Sequence, residues 1–253
     1  MLSARAVEGL PEIAPGDDLG GLIVSALRSQ SDAEPLTTGD VLVIAHKAIS
    51  KAEGRLRSLT EVAPGERARD LAAKLHKDPR LVEVILDESK TVLRAERGVL
   101  ICLTRHGFVC ANAGVDFSNV PGDDTVVLLP IDPDESARRI RGRIGELTNT
   151  SPATLITDSF GRAWRIGQCD VAIGCAGLRP LDDWRGRTDT NGRELHATVI
   201  AVADELAAAA DLARAKDLAQ PAIVIRGAER HIAADDGPGI RPVIRAEADD
   251  LFR

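Results

Sequence analysis

The apolar and polar positions along the chain alternate between stretches typical of strands and stretches typical of helices. Short apolar runs rich in β-branched residues predict buried strands, and apolar residues at helical spacing predict helices. Several strands follow one another without a helix between them, which favours an α+β fold with mixed sheets and packed helices. The predicted strands are 41–45, 91–95, 99–104, 108–111, 125–129, 154–157, 171–177 and 222–225. The predicted helices are 67–77, one that begins at 132–135, and 196–215.

The last two helices carry sharper expectations. Asp132 can cap the first of them, Pro133 suits its first turn, and Glu135 completes a capping-box pattern. Its apolar stripe is Ala137, Ile140, Ile144 and Leu147. The arginines between these positions, Arg138, Arg139, Arg141 and Arg143, are typical of a solvated helix face, with phosphate or subunit contacts as the alternative. The buried side of the helix 196–215 is predicted to be Val199, Val202, Leu206 and Leu212.

Composition narrows the class of protein. A chain of 253 residues can form one domain, which here could consist of two intertwined subdomains. There is no tyrosine and the net charge is −7, so a nucleic-acid reader that stacks bases on aromatics is disfavoured. The four cysteines lack C-x-x-C spacing, which indicates buried, reduced thiols. With no apparent signal peptide and no apolar run of about 18 residues, we expect a cytoplasmic protein rather than a membrane protein.

Two aspartates are candidates for metal-dependent chemistry. Asp116 follows Asn112-Ala113-Gly114, where small residues allow a sharp turn that could present a carboxylate, although a turn-capping role fits equally well. Asp158 follows the apolar run 155–157 and precedes Ser159. With Arg162 and Arg165 close behind, the second segment predicts a site for polyphosphate and metal, with a polar surface turn as the alternative.

Other segments give weaker signals. Lys51 comes shortly after a predicted strand and could contact a phosphate, although a lone lysine is more often solvated. His46 ends the strand that leads to it. The loop 185–193 is dense in Arg, Gly and Asp and could bind an anionic substrate or simply be flexible. No Walker or Rossmann glycine motif occurs, so neither type of nucleotide site is supported.

The motifs in this order resemble those of the F(420)-0:gamma-glutamyl ligases, also called coenzyme F(420):L-glutamate ligases. The resemblance extends over almost the whole chain and depends on short segments rather than on one long motif. These are 9–13 with 15–19, 50–55, 112–116 with 118–120, 157–162, 204–207 and 224–227. The resemblance implies a stand-alone ligase domain, without the C-terminal nitroreductase-like domain that some relatives carry, and a homodimer.

The resemblance also implies a reaction and its site. The reaction is GTP-dependent ligation of L-glutamate to a deazaflavin precursor of coenzyme F(420) through an acyl phosphate, with magnesium or manganese and with potassium. Asp116 and Asp158 would bind the first metal ion, and Ser159 a second. Arg162 and Arg165 are candidates for substrate binding. The implied nucleotide contacts are Leu10, Pro11, Glu12, Ile13, His46, Lys51, Asn119, Lys216 and Asp217.

The chain departs from the family pattern at two places, and two other functions remain open. His46 stands where the family has Ser, and Lys216 would be a poor ligand for the second metal ion. The first alternative is a two-metal phosphohydrolase that uses the same aspartates with water as the nucleophile. The second is a non-catalytic protein that binds a deazaflavin or a nucleotide.

Overall fold

The computed structural model describes residues 1–31, 34–118, 122, 124–215 and 218–251. The α+β prediction is confirmed, because mixed sheets alternate with packed helices along the chain. The strands are β1 Ser3–Ala6, β2 Val41–Ala45, β3 Leu56–Ser58, β4 Ser89–Glu96, β5 Val99–Thr104, β6 Val109–Ala111, β7 Thr125–Val127, β8 Ala153–Arg162, β9 Arg165–Ala176, β10 Asp182–Asp183, β11 Val199–Ile200 and β12 Ala222–Arg226. The helices are α1 Leu19–Ser29, α2 His46–Ala52, α3 Glu66–Leu75, α4 Pro79–Asp87, α5 Pro133–Thr148 and α6 Val202–Ala213.

A five-stranded sheet in the order β1-β12-β2-β8-β9 forms the centre of the protein. The apolar run of β2 is buried on both faces, as is typical of a strand covered by helices on each side. β2 and β8 are parallel, with Ala45 opposite Thr157, whereas the other neighbouring strands are antiparallel. The carboxyl end of β2 therefore lies beside Thr157 in the middle of β8, and the residues that follow Ala45 and Thr157 are neighbours at this edge of the sheet.

Helix α5 packs closely on β9, and its predicted capping by Asp132 is confirmed. Asp132 caps the helix by accepting a hydrogen bond from the Glu135 backbone N–H at 2.9 Å. A side chain at Gly174 would lie 2.5 Å from the Pro133 backbone, so only glycine allows this approach. In a complete capping box the Glu135 carboxylate would also accept a hydrogen bond from the Asp132 backbone N–H. Here it accepts one from Arg138 instead.

A second hydrophobic cluster is formed by the segment of the chain that runs from the end of β3 to the end of β7, residues 59–128. Helices α3 and α4 pack there against the antiparallel sheet β4-β5-β6, in which a turn at residues 97–98 joins β4 to β5. The larger cluster surrounds the central sheet with α1, α5 and α6. No helix in the described part of the chain is long and apolar enough to cross a membrane.

The prediction for the helix 196–215 was partly wrong. The helix begins at Val202, because Val199–Ile200 pairs as a strand with Asp182–Asp183. Val202 and Leu206 are buried as predicted, but Val199 is exposed, and so is Leu212, by 91%. Leu212 is not on the buried face because residues on one face of a helix recur every three to four positions, and six positions from Leu206 is about 120° around the helix.

Candidate active site

His46 and Asp158 meet at the edge of the sheet where β2 ends beside β8. His46 is the first residue of α2 rather than the last of the strand, and it is buried. Its Nε2 atom lies 3.3 Å from Oδ1 of Asp158, and its Nδ1 atom lies 3.4 Å from the Ser50 hydroxyl. The short connection from β2 into α2 thus places an imidazole directly against the predicted metal-binding carboxylate.

Asp116 reaches the same edge from the other hydrophobic cluster. The preceding residues Asn112, Ala113 and Gly114 all have positive φ angles, which makes the sharp turn that their small size indicated. Asp116 Oδ2 accepts a hydrogen bond from Lys47 Nζ at 2.5 Å, and Ser118 donates two more to this carboxylate. Burial raises the pKa of Asp116, but the hydrogen bonds from Lys47 and Ser118 outweigh it and hold the pKa at about 2.

The structure therefore brings the two predicted aspartates to consecutive residues of one helix. Asp158 contacts His46, and Asp116 contacts Lys47. Two carboxylates at one edge fit a hard divalent ion that takes its remaining ligands from water and substrate phosphates. Among the described residues, no group of three or more His, Cys, Asp or Glu side chains is arranged so that it could hold a metal ion. The two aspartates would therefore be only part of the ligand set of such an ion. Lys47 already places a positive charge at the position where such an ion would be held.

The predicted nucleotide segment 10–13 lies against helix α2. Lys51 Nζ donates a hydrogen bond to Glu12, whose side chain is largely exposed, while Lys51 itself is buried. Ile13 and Leu10 pack on the main hydrophobic cluster, and Pro11 is exposed. The structure thus joins two of the predicted nucleotide contacts, Glu12 and Lys51. Asn119, Lys216 and Asp217 lie outside the described residues.

Ser159 is next to Asp158 in the chain, but its side chain contacts a different group. Its hydroxyl donates a hydrogen bond to Asp170 Oδ1 at 2.6 Å, across the β8–β9 pair. Thr157 donates to the other carboxylate oxygen of Asp170 at 3.0 Å, and Arg214 does so at 2.7 Å. Ser159 is therefore part of a second polar cluster, consisting of Thr157, Ser159, Asp170 and Arg214.

The arginines that follow this segment lie away from the aspartates. Asp158 does not end a strand as expected, because β8 continues to Arg162 and turns into β9. Arg162 is four positions along the strand from Asp158, about 13 Å at the usual rise per residue. Arg162 donates a hydrogen bond to the Ile166 carbonyl, and Arg165 is exposed. The single cluster expected from the spacing is thus two separate regions, and substrate binding by the arginines stays a prediction.

Sequence reasoning missed three of the charged groups at this edge, Lys47, Asp170 and Arg214. One signal was available for Asp170, which directly precedes the apolar run 171–177 and is 1% exposed. A charge in such a run indicates a buried partner, because an unpaired charge is costly to bury. The sequence holds no comparable signal for Lys47 or Arg214.

Comparisons with known proteins cover almost the whole chain. The family model described as F420-0:Gamma-glutamyl ligase matches residues 9–227. The coenzyme F420:L-glutamate ligase of Methanothermobacter thermautotrophicus is 46% identical over 253 residues, 100% of this chain and 99% of the relative. The proteins of the same name from Methanopyrus kandleri and Archaeoglobus fulgidus are 44% and 43% identical, over 100% and 98% of this chain and 99% and 94% of theirs. The chain therefore belongs to the F420-0:gamma-glutamyl ligase family.

Proposed function

We propose that this chain ligates L-glutamate to a deazaflavin precursor of coenzyme F(420), forming gamma-glutamyl amide bonds. The observation that carries the proposal is the similarity over the full length to proteins named coenzyme F420:L-glutamate ligase. The site is consistent with it, because two carboxylates, a histidine and two lysines converge at one sheet edge. Those groups suit a reaction between anionic substrates, in which charge must be neutralised before the reactants can meet.

The proposed reaction uses GTP to activate a carboxylate. The substrate carboxylate oxygen attacks the terminal phosphorus of GTP, the bond to the leaving GDP oxygen breaks, and an acyl phosphate forms. The amine of glutamate then attacks the acyl carbon, phosphate leaves, and the amine loses a proton. Activation is needed because a carboxylate is a weak electrophile at neutral pH.

The residues of this chain would position and neutralise the reactants. Asp116 and Asp158 would hold a magnesium or manganese ion, which supplies charge neutralisation at the phosphates. Lys51 would contact the nucleotide beside Glu12, and Lys47 and His46 would keep the two carboxylates in place. Potassium, a homodimeric assembly and a cytoplasmic location are parts of the same proposal, supported by the family resemblance.

Mass spectrometry tests the proposal directly. The purified chain is incubated with the deazaflavin precursor, L-glutamate, GTP and manganese, and parallel reactions omit glutamate or replace GTP with ATP. We expect a mass ladder of glutamyl additions that requires both glutamate and GTP, together with phosphate release that depends on glutamate. Phosphate release at the same rate without glutamate would favour a phosphohydrolase, and ligand binding without turnover would favour a carrier.

A further inference from the structure

The polar cluster of Thr157, Ser159, Asp170 and Arg214 contains a buried ion pair, which Arg214 forms with Asp170. Asp170 is 1% exposed, and Arg214 Nη1 lies 2.7 Å from its Oδ2 atom. Thr157 and Ser159 donate to the same carboxylate from the neighbouring strand. Ser159 is the residue that the family resemblance implies as a ligand of a second metal ion, so the guanidinium of Arg214 lies at the position implied for that ion.

Arg214 has hydrogen-bond donors that the protein leaves unused. Its side chain is only 7% exposed. Its Nε and Nη2 atoms are buried and have no hydrogen-bond partner among the residues that the structure describes. Buried donors on a charged group are costly to leave unpaired, so they indicate a ligand that accepts hydrogen bonds and carries negative charge. A guanidinium with two free donors suits the paired oxygens of a phosphoryl group.

A second divalent ion does not fit this arrangement. The Ser159 hydroxyl and the Asp170 carboxylate are the groups whose oxygens could bind such an ion. The hydroxyl already donates a hydrogen bond to the carboxylate. The second oxygen of Asp170 is bonded to the guanidinium, so an ion placed there would have to approach a fixed positive charge at close range. The Ser159 ligand implied by the family resemblance is therefore already committed within this chain.

We propose that Arg214 takes the place of a second metal ion, so that the chain uses one divalent ion per active site. In this arrangement Asp170 holds the guanidinium, and the Nε and Nη2 donors bind an anionic phosphoryl oxygen of the nucleotide. A fixed guanidinium and a divalent ion both neutralise phosphate charge, and the guanidinium needs no ligand-binding equilibrium of its own. The inference rests on the proposed function, because that function supplies the phosphoryl group.

Counting bound ions tests the proposal without any turnover. Inorganic triphosphate serves as the probe, since it carries the phosphates without the base, and equilibrium dialysis gives the manganese bound per chain. We expect one manganese ion per chain in the unaltered protein. In Arg214→Met, which keeps an unbranched apolar side chain but removes the charge and donors, we expect triphosphate to bind roughly tenfold to a hundredfold more weakly.

Arg141→Met is the matched control. Arg141 is also mostly buried, pairs with Asp236 at 2.8 Å and has an unpartnered Nε atom. It lies with Thr37 and Ser151 near the starts of β2 and β8, at the opposite edge of the sheet. Triphosphate affinity should be unchanged in this variant. If Arg214→Met does not fold, Arg214→Lys keeps the charge but loses the fork, and should still weaken triphosphate binding with one ion bound.

The outcomes separate this inference from the proposed function. Two manganese ions per chain, or unchanged triphosphate affinity in both Arg214 variants, would overturn the inference even if glutamate ligation is observed. One ion and Arg214-dependent triphosphate binding without glutamate ligation would support the inference and refute the proposed function. Failure of the unaltered chain to bind manganese and triphosphate at all would overturn both.

Discussion

The two aspartates at this edge of the sheet each contact a side chain from the first two residues of α2. Asp116 is held by Lys47 and Asp158 contacts His46. We expect Asp116→Asn and Asp158→Asn each to lower the glutamate-dependent rate on the order of 100-fold or more, because each removes a charged metal ligand while keeping the side-chain shape. Asp236→Asn, which breaks the ion pair with Arg141 at the opposite edge, is the matched control. A rate near normal in either active-site variant would contradict the metal-binding role.

Lys51 allows a second test at the residue scale, because its two possible roles can be separated. Its pairing with the exposed Glu12 contributes little by itself, since exposed ion pairs are typically weak. If Lys51 contacts a nucleotide phosphate, Lys51→Met should raise the KM for GTP roughly tenfold, the loss of one charge-assisted contact, while Glu12→Gln should change it less. Steady-state kinetics with varied GTP gives both values. Equal effects of the two substitutions would indicate that Lys51 acts only through Glu12.

How far these residues could be predicted depended on the range of their contacts. Asp158 was found because an apolar run immediately before it marks a strand, which is local information. Lys47 and Arg214 were missed because their partners Asp116 and Asp170 lie 69 and 44 residues away. The packing of α2 beside β7 brings Lys47 to Asp116, and the packing of α6 on β9 brings Arg214 to Asp170. Pairings of that kind are not encoded in the spacing of any one segment.

At the scale of elements, the predictions succeeded where periodicity and end signals agreed. Helix α5 has an apolar stripe, a capping aspartate and Pro133 in its first turn, and its start was predicted correctly. Helix α6 has no side-chain cap at Ala201, and its alanine-rich sequence does not mark a face, so its start was placed too early. Helix α2 follows directly on a strand without a cap and was missed. Propensity alone thus located α6 but could not define its ends.

The contact between α5 and β9 can be tested with two glycines of opposite character. Gly174→Ala would place a methyl group 2.5 Å from the Pro133 backbone, which should destabilise the protein by about 1–3 kcal/mol through overpacking. Gly142 lies within α5 with open space beside it, so Gly142→Ala should stabilise the protein by about 1 kcal/mol. Urea unfolding of both variants measures the two shifts. Equal shifts of the same sign would contradict close packing at Gly174.

At the scale of the whole molecule, the cysteines report on how completely the protein is packed. Burial raises the pKa of Cys110 and Cys175 to about 12 and also raises that of Cys102, whereas Cys169 is half-buried. The thiolate is the reactive form, so iodoacetamide at pH 8 should modify at most Cys169 in the native protein and all four cysteines after unfolding. Intact-mass spectrometry counts the modified sites. Rapid modification of two or more thiols in the native protein would contradict this packing.

The long β8–β9 hairpin gives the proposed homodimer a testable location. Its turn carries Trp164 and Ile166, which are 77% and 101% exposed, in a chain with only two tryptophans and four phenylalanines. Large apolar side chains grouped at one exposed end are a typical interaction surface, and a second copy of the chain is the partner that the family resemblance implies. Light scattering should therefore give the mass of a dimer. Trp164→Ser combined with Ile166→Ser should give a monomer. That monomer should remain folded, because neither side chain is part of the buried core. A dimer that persists in the double variant would place the interface elsewhere, and a monomer in the unaltered protein would refute the dimer itself.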